Sequence, residues 1–540
     1  MRFYGRFEGY NSSKFRRDLI AGLVVGVVAI PLGMAFAIAS GVGPEYGLYT
    51  VIVAGILISL FGGSKYQIGG PTGAFVPILF GIVSQYGIEN LLIAGFMAGC
   101  MLVLFGIFKL GKLMKFIPRP VIIGFTAGIA VIIFSGQIAN FLGLKGVEKH
   151  ESFFLNMREI VVHLGTTNSL AIITAVIGLI VILAAQKYIP KIPGALLGLL
   201  ASTFLAVLFF QGQVETIGSA YGEIPRQLPT FAFPELTIEK MIYLLPPAIV
   251  IALLGGVESI LSAMVADNMK GSKHDSNKEL VGQGIANMAA PLFGGIPATG
   301  AIARTATNIK NGGASPISGV VHGVVVLLIL MVFAPYASMI PLAAMAPILM
   351  FVAWNMSERK EFINILKVKN ADSLVLVVTF LLTVIGDLII GVTAGLILAF
   401  IAFIKKMSQT TNIHTNVAVP QMETAAALEK QTEEKGISMY SIEGPLFFGT
   451  TDSLENSILD HVQTKPKTLI LLMNKVNYMD TSAEAVLMNI SNRLKHHNGK
   501  LMIVGLQSQP KELLHRTGLF HHIGKQHFFE RTDDISPQHL

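Results

Sequence analysis

Charged residues are scarce in this chain. Only 14% of its 540 residues are Asp, Glu, Lys or Arg, whereas 52% are hydrophobic, and the charged ones gather in connecting segments and in the last quarter. Soluble domains carry about 25% charged residues. The composition therefore excludes a protein that is soluble over its whole length, and with it a soluble enzyme.

Cysteine and phosphate-binding loops are also lacking. Cys100 is the single cysteine of the sequence, which excludes an internal disulfide. The sequence contains no Gly-x-x-x-x-Gly-Lys-Ser/Thr loop, the element that cradles the phosphates of ATP, and this argues against an ATP-driven pump. We expect no cofactor and no enzymatic activity.

Long apolar runs take the place of these features. One crossing of a bilayer needs about 20 apolar residues. Runs of that order occur at 19–40, 89–108, 121–140, 170–186, 193–210, 241–257, 315–334 and 374–404. They predict an α-helical polytopic membrane protein. The first run lacks a signal-peptide cleavage site, so we interpret it as a retained first helix.

The basic residues indicate the orientation, because positively charged loops tend to stay in the cytoplasm. They cluster before the first run and then after alternate spans: Arg2, Arg6, Lys14, Arg16, Arg17; Lys109, Lys112, Lys115, Arg119; Lys187, Lys191; Lys270, Lys273, Lys278; Lys405, Lys406. The segments 141–167 and 212–240, which we expect outside, are mixed in charge or nearly neutral. The pattern predicts about fourteen spans with both termini in the cytoplasm, and it accounts for the net charge of +7 without a nucleic-acid partner.

The sequence changes character after Lys406. Residues 408–436 are polar and are typical of a linker. Beyond them "KTLILLMNKV" and "KLMIVGL" have the pattern of buried strands, and "SAEAVLMNISNRLKHHNG" between them that of an amphipathic helix. This order predicts a small α/β domain with a parallel sheet. We therefore expect a membrane domain, 1–407, a linker, 408–436, and an α/β domain, 437–540.

Two segments rich in glycine and proline occupy matching places in the two halves of the membrane region. They read "GGPTGAFVPI" at 69–78 and "GGIPATGAI" at 294–302. Such pairs indicate a transporter site between two half-helices, whose N-termini attract an anion. Arg304 lies one turn into the second half-helix and would add a full positive charge. The alternatives are a kink or close helix packing, with Arg304 at an interface or paired with an acid.

Glu258 is a second polar residue inside an apolar run. A charged glutamate facing lipid is costly, so its side chain should face the protein interior. There it is a candidate to bind and release a proton, and Ser262, one turn further, could help to hold a proton-bearing water or a sodium ion. The alternative is that Glu258 is a structural partner of Arg304.

Four stretches together resemble one known family. They are "IPLGMAFAIASGVGPEYGLYT" at 30–50, "GGPTGAFVPI" at 69–78, the segment 258–316 that includes "GGIPATGAIARTATN", and "MDTSAEAVL" at 479–487. The chain resembles a bacterial member of the sulfate permease (SulP) family, related to animal solute-carrier family 26, with a C-terminal STAS domain. This resemblance implies seven plus seven segments as inverted repeats, divided into a core and a gate domain.

The resemblance also implies a set of site residues. The anion would lie between the half-helices of segments three and ten, with the following residues around it: Phe36, Thr72, Gly73, Ala74, Phe75, Ala301, Ile302, Ala303 and Arg304. For the coupling ion we expect Glu258, Ser262, Thr299 and Gly300. Apart from a sodium ion at Glu258, no metal is expected.

Two departures from the family pattern bear on the substrate. Leu32 stands where many members have a glutamine that contacts the anion, and members with leucine include bicarbonate carriers. Glu258 and Ser262 stand where some sodium-coupled bicarbonate relatives have aspartate and threonine, and the longer Glu258 leaves less room for a metal. We therefore expect a secondary active transporter of a small inorganic or carboxylic anion, of the sulfate, bicarbonate or dicarboxylate class, coupled to protons and working by an elevator movement.

Three alternatives remain open at the level of the sequence. They are a sodium-dependent bicarbonate symporter, an anion channel or exchanger, and a membrane-bound sensor that signals through the tail. We expect the protein in the bacterial cytoplasmic membrane, surrounded by lipid, as a homodimer. In the tail, Asp480, Thr481 and Ser482 resemble the phosphorylation site of anti-sigma factor antagonists, although helix capping alone would account for them.

Overall fold

The computed structural model describes residue 7 and residues 9–112, 117–189, 192–226, 231–386, 388–415, 437–462 and 467–535. The chain divides into two compact units, Met1–Leu396 and Ile397–Leu540. Four of the basic residues that indicated the orientation, Arg2, Arg6, Lys115 and Lys191, lie outside the described residues. The same holds for residues 416–436 of the predicted linker.

The membrane region is helical, as predicted. Setting aside the short helices of the connecting segments, its described part forms fourteen helices. The first seven are α1 (Ser12–Ala39), α2 (Pro44–Phe61), α3 (Val76–Tyr86), α4 (Ile88–Ile107), α5 (Arg119–Gly136), α6 (Ser169–Tyr188) and α7 (Gly194–Phe209). The second seven are α8 (Leu245–Lys270), α9 (Ser276–Leu292), α10 (Ile302–Lys310), α11 (Ile317–Ala337), α12 (Leu342–Met356), α13 (Ala371–Ile385) and α14 (Leu388–Ser408).

Within the described residues, eight helices are long and apolar enough to cross a membrane. Shorter apolar helices accompany them, among them α7 and α13. The predicted run 374–404 is two helices, α13 and α14. The helix α2 was missing from the apolar runs, because its hydropathy is the lowest of the eight.

The helix contacts repeat with a shift of seven helices. In one set of contacts, α1 and α2 both pack on α11. Shifted by seven helices, the equivalent contacts are those of α8 and α9 with α4, and both are present. In the same way, α5 packs on α13 as α12 packs on α6. Each half has an odd number of helices, so the second half enters the membrane from the side opposite to the first. The two halves therefore form an inverted repeat.

The helices also separate into two groups. The helices α1–α4 pack with α8–α11, and we call these eight the core group. The helices α5–α7 pack with α12 and α13, and with α14 they form the gate group. The predicted division into a core and a gate thus appears in the packing of the helices.

The connecting segments contain short helices. They are Ile138–Leu142, Phe153–Val162, Ile217–Tyr221, Ile238–Tyr243 and Arg359–Val368. The last of these joins α12 to α13, and its sequence is amphipathic, with apolar residues at Phe362, Ile363 and Leu366 among lysines.

The second unit contains the predicted α/β domain. Its strands are β3 (Asn412–Thr415), β4 (Ile437–Glu443), β5 (Thr468–Lys475), β6 (Lys500–Val504) and β7 (Phe528–Phe529), and its helices are α15 (Thr451–Val462), α16 (Thr481–His496), α17 (Ser508–Thr517) and α18 (Leu519–Ile523). The strand order is β3-β4-β5-β6-β7. Strands β4 to β7 are parallel, and β3 is antiparallel to β4.

The strand β3 differs from the expectation. Composition placed residues 412–415 in the linker, yet they pair with β4 at the edge of the sheet. The pairing is favourable because Ile413 packs against the apolar core of the domain, while Asn412 and His414 beside it are exposed. A single apolar residue in a polar stretch was too weak a signal to predict a strand.

Candidate functional site

The two glycine-rich segments meet in the membrane domain. Residues Gly69–Gly70 form β1 and Thr299–Gly300 form β2, and the two strands are antiparallel, with Gly69 opposite Gly300. The backbone N–H of Ala301 also donates to the carbonyl of Ile68 at 2.8 Å. A short 3-10 turn, Gly73–Phe75, leads from β1 into α3, and α10 begins two residues after Gly300. The N-termini of the two half-helices are therefore held next to one strand pair.

Polar side chains from the surrounding helices bind these extended segments. The side-chain amide of Asn287 in α9 accepts from the N–H of Ala298 and donates to its carbonyl, both at 2.8 Å. The hydroxyl of Thr50 in α2 donates to the carbonyl of Ile296. Non-helical backbone inside a membrane is tolerated where protein satisfies its polar groups. Asn287 and Thr50 do this for the segment before β2.

Glu279 anchors the segment before β1. This carboxylate in α9 is fully buried and accepts from the backbone N–H groups of Gly63 and Ser64, at 2.7 and 3.0 Å. It also accepts from the side-chain amides of Gln67 and Gln283, each at 2.9 Å. With four donors around it, Glu279 acts as a structural anchor between α9 and the approach to the site.

Arg304 lies beneath the first half-helix. Its side chain is 2% exposed, and Nη2 donates to the carbonyl of Pro71, the residue that follows β1. Among the described residues, Nη1 has no hydrogen-bond partner. The guanidinium therefore does not project into open space. It places a positive charge against the backbone from which the first half-helix starts.

Gly70 makes this position of Arg304 available. A Cβ at Gly70 would lie 2.4 Å from Nη1 of Arg304, and the φ of Gly70 is +149°, a conformation that other residues rarely adopt. The backbone conformation favours glycine there, and a larger residue would also have to displace the guanidinium beside it.

Glu258 reaches the same segment from α8. The hydroxyl of Thr72 donates to Oε2 of Glu258 at 3.0 Å. No ion pair joins Glu258 to Arg304 in the described part of the chain; instead the two charged groups contact the consecutive residues Thr72 and Pro71. A carboxylate and a guanidinium thus border the start of the first half-helix.

The other residues expected at a coupling-ion site also form hydrogen bonds between elements. Ser262 donates to the hydroxyl of Thr305 in α10 at 3.3 Å. The N–H of Gly300 donates to the hydroxyl of Ser259, which donates to the hydroxyl of Thr299 at 3.1 Å. These bonds join α8 to β2 and α10.

The open side of the first half-helix faces both helix groups. A Cβ built at Gly73 would lie 3.4 Å from Phe36 of α1, 3.5 Å from Ile133 of α5 and 3.5 Å from Met356 of α12. Phe36 was expected here, whereas Ile133 and Met356 were not. Apolar residues within apolar helices carry no signal of their own, and only the packing of α5 and α12 on the core group identifies them.

The remaining expected residues differ in exposure. Phe75 and Ala301 are buried, and Ala74 is half-buried. Ile302 and Ala303, in the first turn of α10, are exposed. The structure thus places Gly73 at the contact between the helix groups and leaves Ile302 and Ala303 accessible.

A large cavity leads to this region. Its volume is about 1610 Å³, and it is lined by ends of gate and core helices and by residues 143–152. It reaches Val76 of α3 and Ile133. Lys149 is among the residues that line it. The lining segments are those that the charge pattern predicts on the outer side.

The tail residues singled out from the sequence lie at the start of α16. Asp480 is the N-cap: one carboxylate oxygen accepts from the N–H of Ala483 and the other from the N–H of Phe448, both at 2.9 Å. Thr481 is exposed and Ser482 is half-buried. Capping thus accounts for Asp480, and Thr481 remains accessible.

Comparison with known proteins gives matches over both units. The sulfate permease family matches residues 15–379, and the STAS domain matches residues 430–535. YvdB of Bacillus subtilis (strain 168), named as a candidate sulfate transporter, is 75% identical and covers 99% of this chain and 100% of its own length. The bicarbonate transporter BicA of Picosynechococcus sp. is 28% identical, covering 94% of this chain and 91% of its own.

Solved structures are similar to this chain as well, among them the following two. The transmembrane domain of a cyanobacterial bicarbonate transporter BicA is 30% identical, with a TM-score of 0.64, over 71% of this chain and 98% of that one. The murine solute carrier 26 family member A9 in its inward-facing state is 18% identical, with a TM-score of 0.86, over 98% of this chain and 92% of that one. At that identity the second likeness shows the fold alone. From the extent of these matches the chain belongs to the sulfate permease family, a family of multi-pass membrane transporters rather than enzymes, and it ends in a STAS domain.

Proposed function

We propose that this chain is a secondary active transporter that moves a small anion together with a proton. The anion binds beside the N-termini of α3 and α10, in front of Gly73 and next to Phe36. The backbone N–H groups at both N-termini attract it. The buried charge of Arg304 adds to this attraction, because screening is weak away from water.

The hydrogen bond between Thr72 and Glu258 is the observation that supports coupling of anion transport to a proton. It joins the carboxylate to Thr72, the residue just before the turn that begins the half-helix, so the charge of Glu258 acts directly on the anion site. An ionised Glu258 repels an anion, whereas a protonated one does not. Binding of the anion and of the proton is therefore linked, and each tightens the other.

The two helix groups supply the movement. The site lies where Gly73 of the core group faces Ile133 and Met356 of the gate group. Movement of the core group along the gate group would carry the site across the membrane, as an elevator does. The protein lies in the bacterial cytoplasmic membrane as a homodimer, with both termini in the cytoplasm. The cavity beside the site then opens outward.

Sodium-dependent bicarbonate uptake is the second candidate. The similarity to bicarbonate transporters and the leucine at position 32 favour it. The longer side chain of Glu258, where some sodium-coupled relatives have aspartate, leaves less room for a sodium ion and weighs against this candidate. The substrate class stays broad: sulfate, bicarbonate and dicarboxylates all carry the negative charge that the half-helices attract.

The Glu258→Gln variant tests the coupling. Glutamine resembles the protonated carboxyl group, so we expect the variant to exchange labelled anion across proteoliposome membranes but not to accumulate it in response to an inward proton gradient. The measurement compares uptake of labelled sulfate, bicarbonate and dicarboxylates by wild type and variant, under a proton gradient and separately under a sodium gradient.

Glu239→Gln is the matched control, because Glu239 is exposed on a connecting helix. It should accumulate anion as the wild type does. Accumulation that depends on sodium in the wild type and is lost in Glu258→Gln would favour the sodium symporter. Full gradient-driven accumulation by Glu258→Gln would contradict a coupling role for this residue with either ion.

A further inference from the structure

The short helix Arg359–Val368 is fixed at one end of the gate group. Ser357 and Glu358 separate it from α12, and Lys369 and Asn370 separate it from α13. Glu358 and Lys369 have φ values of +40° and +52°, so the chain turns sharply at both ends of the helix. Because each connection has only two residues, the helix stays next to the end of α12 and the start of α13, both of which are apolar helices. It therefore lies where the membrane meets water.

One face of this helix is exposed and carries two lysines. Lys360, Ile363, Asn364 and Lys367 follow the spacing of a single helix face. All four are exposed, and half of the Ile363 surface is accessible. The helix is attached through the other side, where the ring of Phe362 meets that of Phe380 in α13 at 5.3 Å. An apolar side chain between two cations is thus left open to the surroundings.

The charge of this surface is positive. Lys360, Lys367 and Lys369 have no acidic partner among the described residues. Glu361, the acid within the helix, is paired with Arg119 of α5 at 2.9 Å. The exposed lysines are therefore available to an anionic group from outside the domain.

A tryptophan marks the depth of the helix. Trp354, the single tryptophan of the chain, lies in the last turn of α12 and is 51% exposed. The guanidinium of Arg359 lies over its ring, 3.4 Å from the centroid. Tryptophan is enriched at the level of lipid headgroups, so Trp354 places the start of the helix at that level.

We propose that the helix Arg359–Val368 is a binding surface for the headgroups of anionic phospholipids, with Lys360 and Lys367 on the phosphate and Ile363 among the first acyl carbons. Amphipathic helices with lysines beside apolar residues bind anionic membrane surfaces in this way. A lipid fits better than a protein, because the face is narrow and charged and lies beside an exposed tryptophan at the membrane boundary. This surface is independent of the anion that is transported.

Trp354 gives a direct test in full-length protein. The protein is placed in phosphatidylcholine vesicles that contain either brominated phosphatidylglycerol or brominated phosphatidylcholine in equal amounts, and the quenching of tryptophan fluorescence is measured. Because the chain has one tryptophan, the signal reports this position alone. We expect stronger quenching by the brominated phosphatidylglycerol, at lower lipid fractions.

The double variant Lys360→Gln/Lys367→Gln should lose the preference for phosphatidylglycerol. Each lysine removed should weaken binding of the anionic lipid by a factor of about five. The control variant Lys511→Gln/Lys525→Gln removes the same charge from exposed positions in the tail. It should keep the preference for phosphatidylglycerol. Equal quenching of the wild type by both lipids would overturn the proposal, as would a preference unchanged in the first variant. Quenching by neither lipid would show that protein covers the surface, either the tail domain or a second copy, and would overturn it too.

Discussion

At the scale of single residues, Arg304 shows how position alters the role of a charge. From the sequence it would face the substrate, but the structure buries it against the carbonyl of Pro71, with 2% of its surface exposed. Burying a charge is costly, and the Coulombic attraction of Glu258 offsets only part of that cost for Arg304. The family resemblance and the adjacent half-helices suggest what offsets that cost: an anion in front of Gly73 would interact with Arg304 through a medium of low polarity.

Substitution of Arg304 tests this electrostatic role. We expect Arg304→Ala to weaken the apparent affinity for the anion by at least about ten-fold, which corresponds to about 1.4 kcal/mol. Arg304→Lys should recover part of it, because the charge returns without the planar group that reaches Pro71. The measurement is the substrate dependence of initial uptake in proteoliposomes.

Arg158→Ala is the control for Arg304, since Arg158 is exposed on a connecting helix. It removes the same charge from the surface of that connecting helix and should leave the affinity unchanged. If a well-folded Arg304→Ala protein had the affinity of the wild type, Arg304 would be structural and the helix N-termini would be the sole source of attraction.

At the scale of elements, the strand pair is what makes two half-helices into one site. Each strand has two residues and would not be stable alone. The pair persists because side chains of α2, α8 and α9 bind the flanking backbone, through Thr50, Ser259 and Asn287. Gly70 completes the arrangement by leaving space for the guanidinium of Arg304.

Gly70→Ala tests the fit of this pair. The added methyl group would lie 2.4 Å from Nη1 of Arg304 in a backbone conformation unsuited to alanine. We expect a loss of stability of about 1–3 kcal/mol, together with weaker anion binding as Arg304 is displaced. Thermal unfolding of the purified protein and anion uptake are the two measurements.

Gly136→Ala is the matched control, because a Cβ at Gly136 of α5 meets no atom within 4 Å. Alanine is favoured over glycine in a helix by about 0.5–1 kcal/mol, so this variant should be as stable as the wild type or slightly more so. Equal stability of the two variants would refute the close contact at Gly70.

At the scale of the whole molecule, the candidate site belongs to the first unit alone. Thr72, Glu258 and Arg304 lie within Met1–Leu396, whereas the STAS domain lies in the second unit. Its sheet has its own apolar core, in which Tyr440, Leu471 and Ile503 are buried. Binding of the anion should therefore not require the tail.

A chain that ends at residue 407 tests this independence. We expect it to bind anion with an affinity within a few-fold of the full chain, since every residue of the candidate site is retained, while the rate of transport or the assembly of the dimer falls. Binding is measured by equilibrium dialysis on monodisperse protein. Loss of binding in a truncated protein with normal helix content would mean that the tail completes the site.

The sequence predicted several features well, and each had a local cause. Long apolar runs predicted the helices, and glycine and proline interrupted them at the two half-helices. Alternating strand and helix patterns predicted the parallel strands β5 and β6. The edge strand β3 was missed, because its stability comes from pairing with β4 and not from its own residues.

The sequence predicted which residues belong to the candidate site, but not how their side chains are arranged. Glu258 and Arg304 stood out as ionisable residues in apolar surroundings, and that signal is local. The bond from Thr72 to Glu258 and the contact of Gly73 with Ile133 and Met356 join residues far apart in the chain. No local pattern encodes such contacts.

By itself, then, the sequence determined that the chain crosses a membrane many times, that two helices break at glycine and proline, and that a soluble α/β domain follows. These follow from hydropathy and backbone preference, which act on neighbouring residues. The tertiary structure alone decided that β1 pairs with β2, that Arg304 lies under Pro71 while Glu258 binds Thr72, and that the site faces the gate helices. The physical reason is that these contacts depend on how distant helices pack, and packing is settled by the fit of the whole chain.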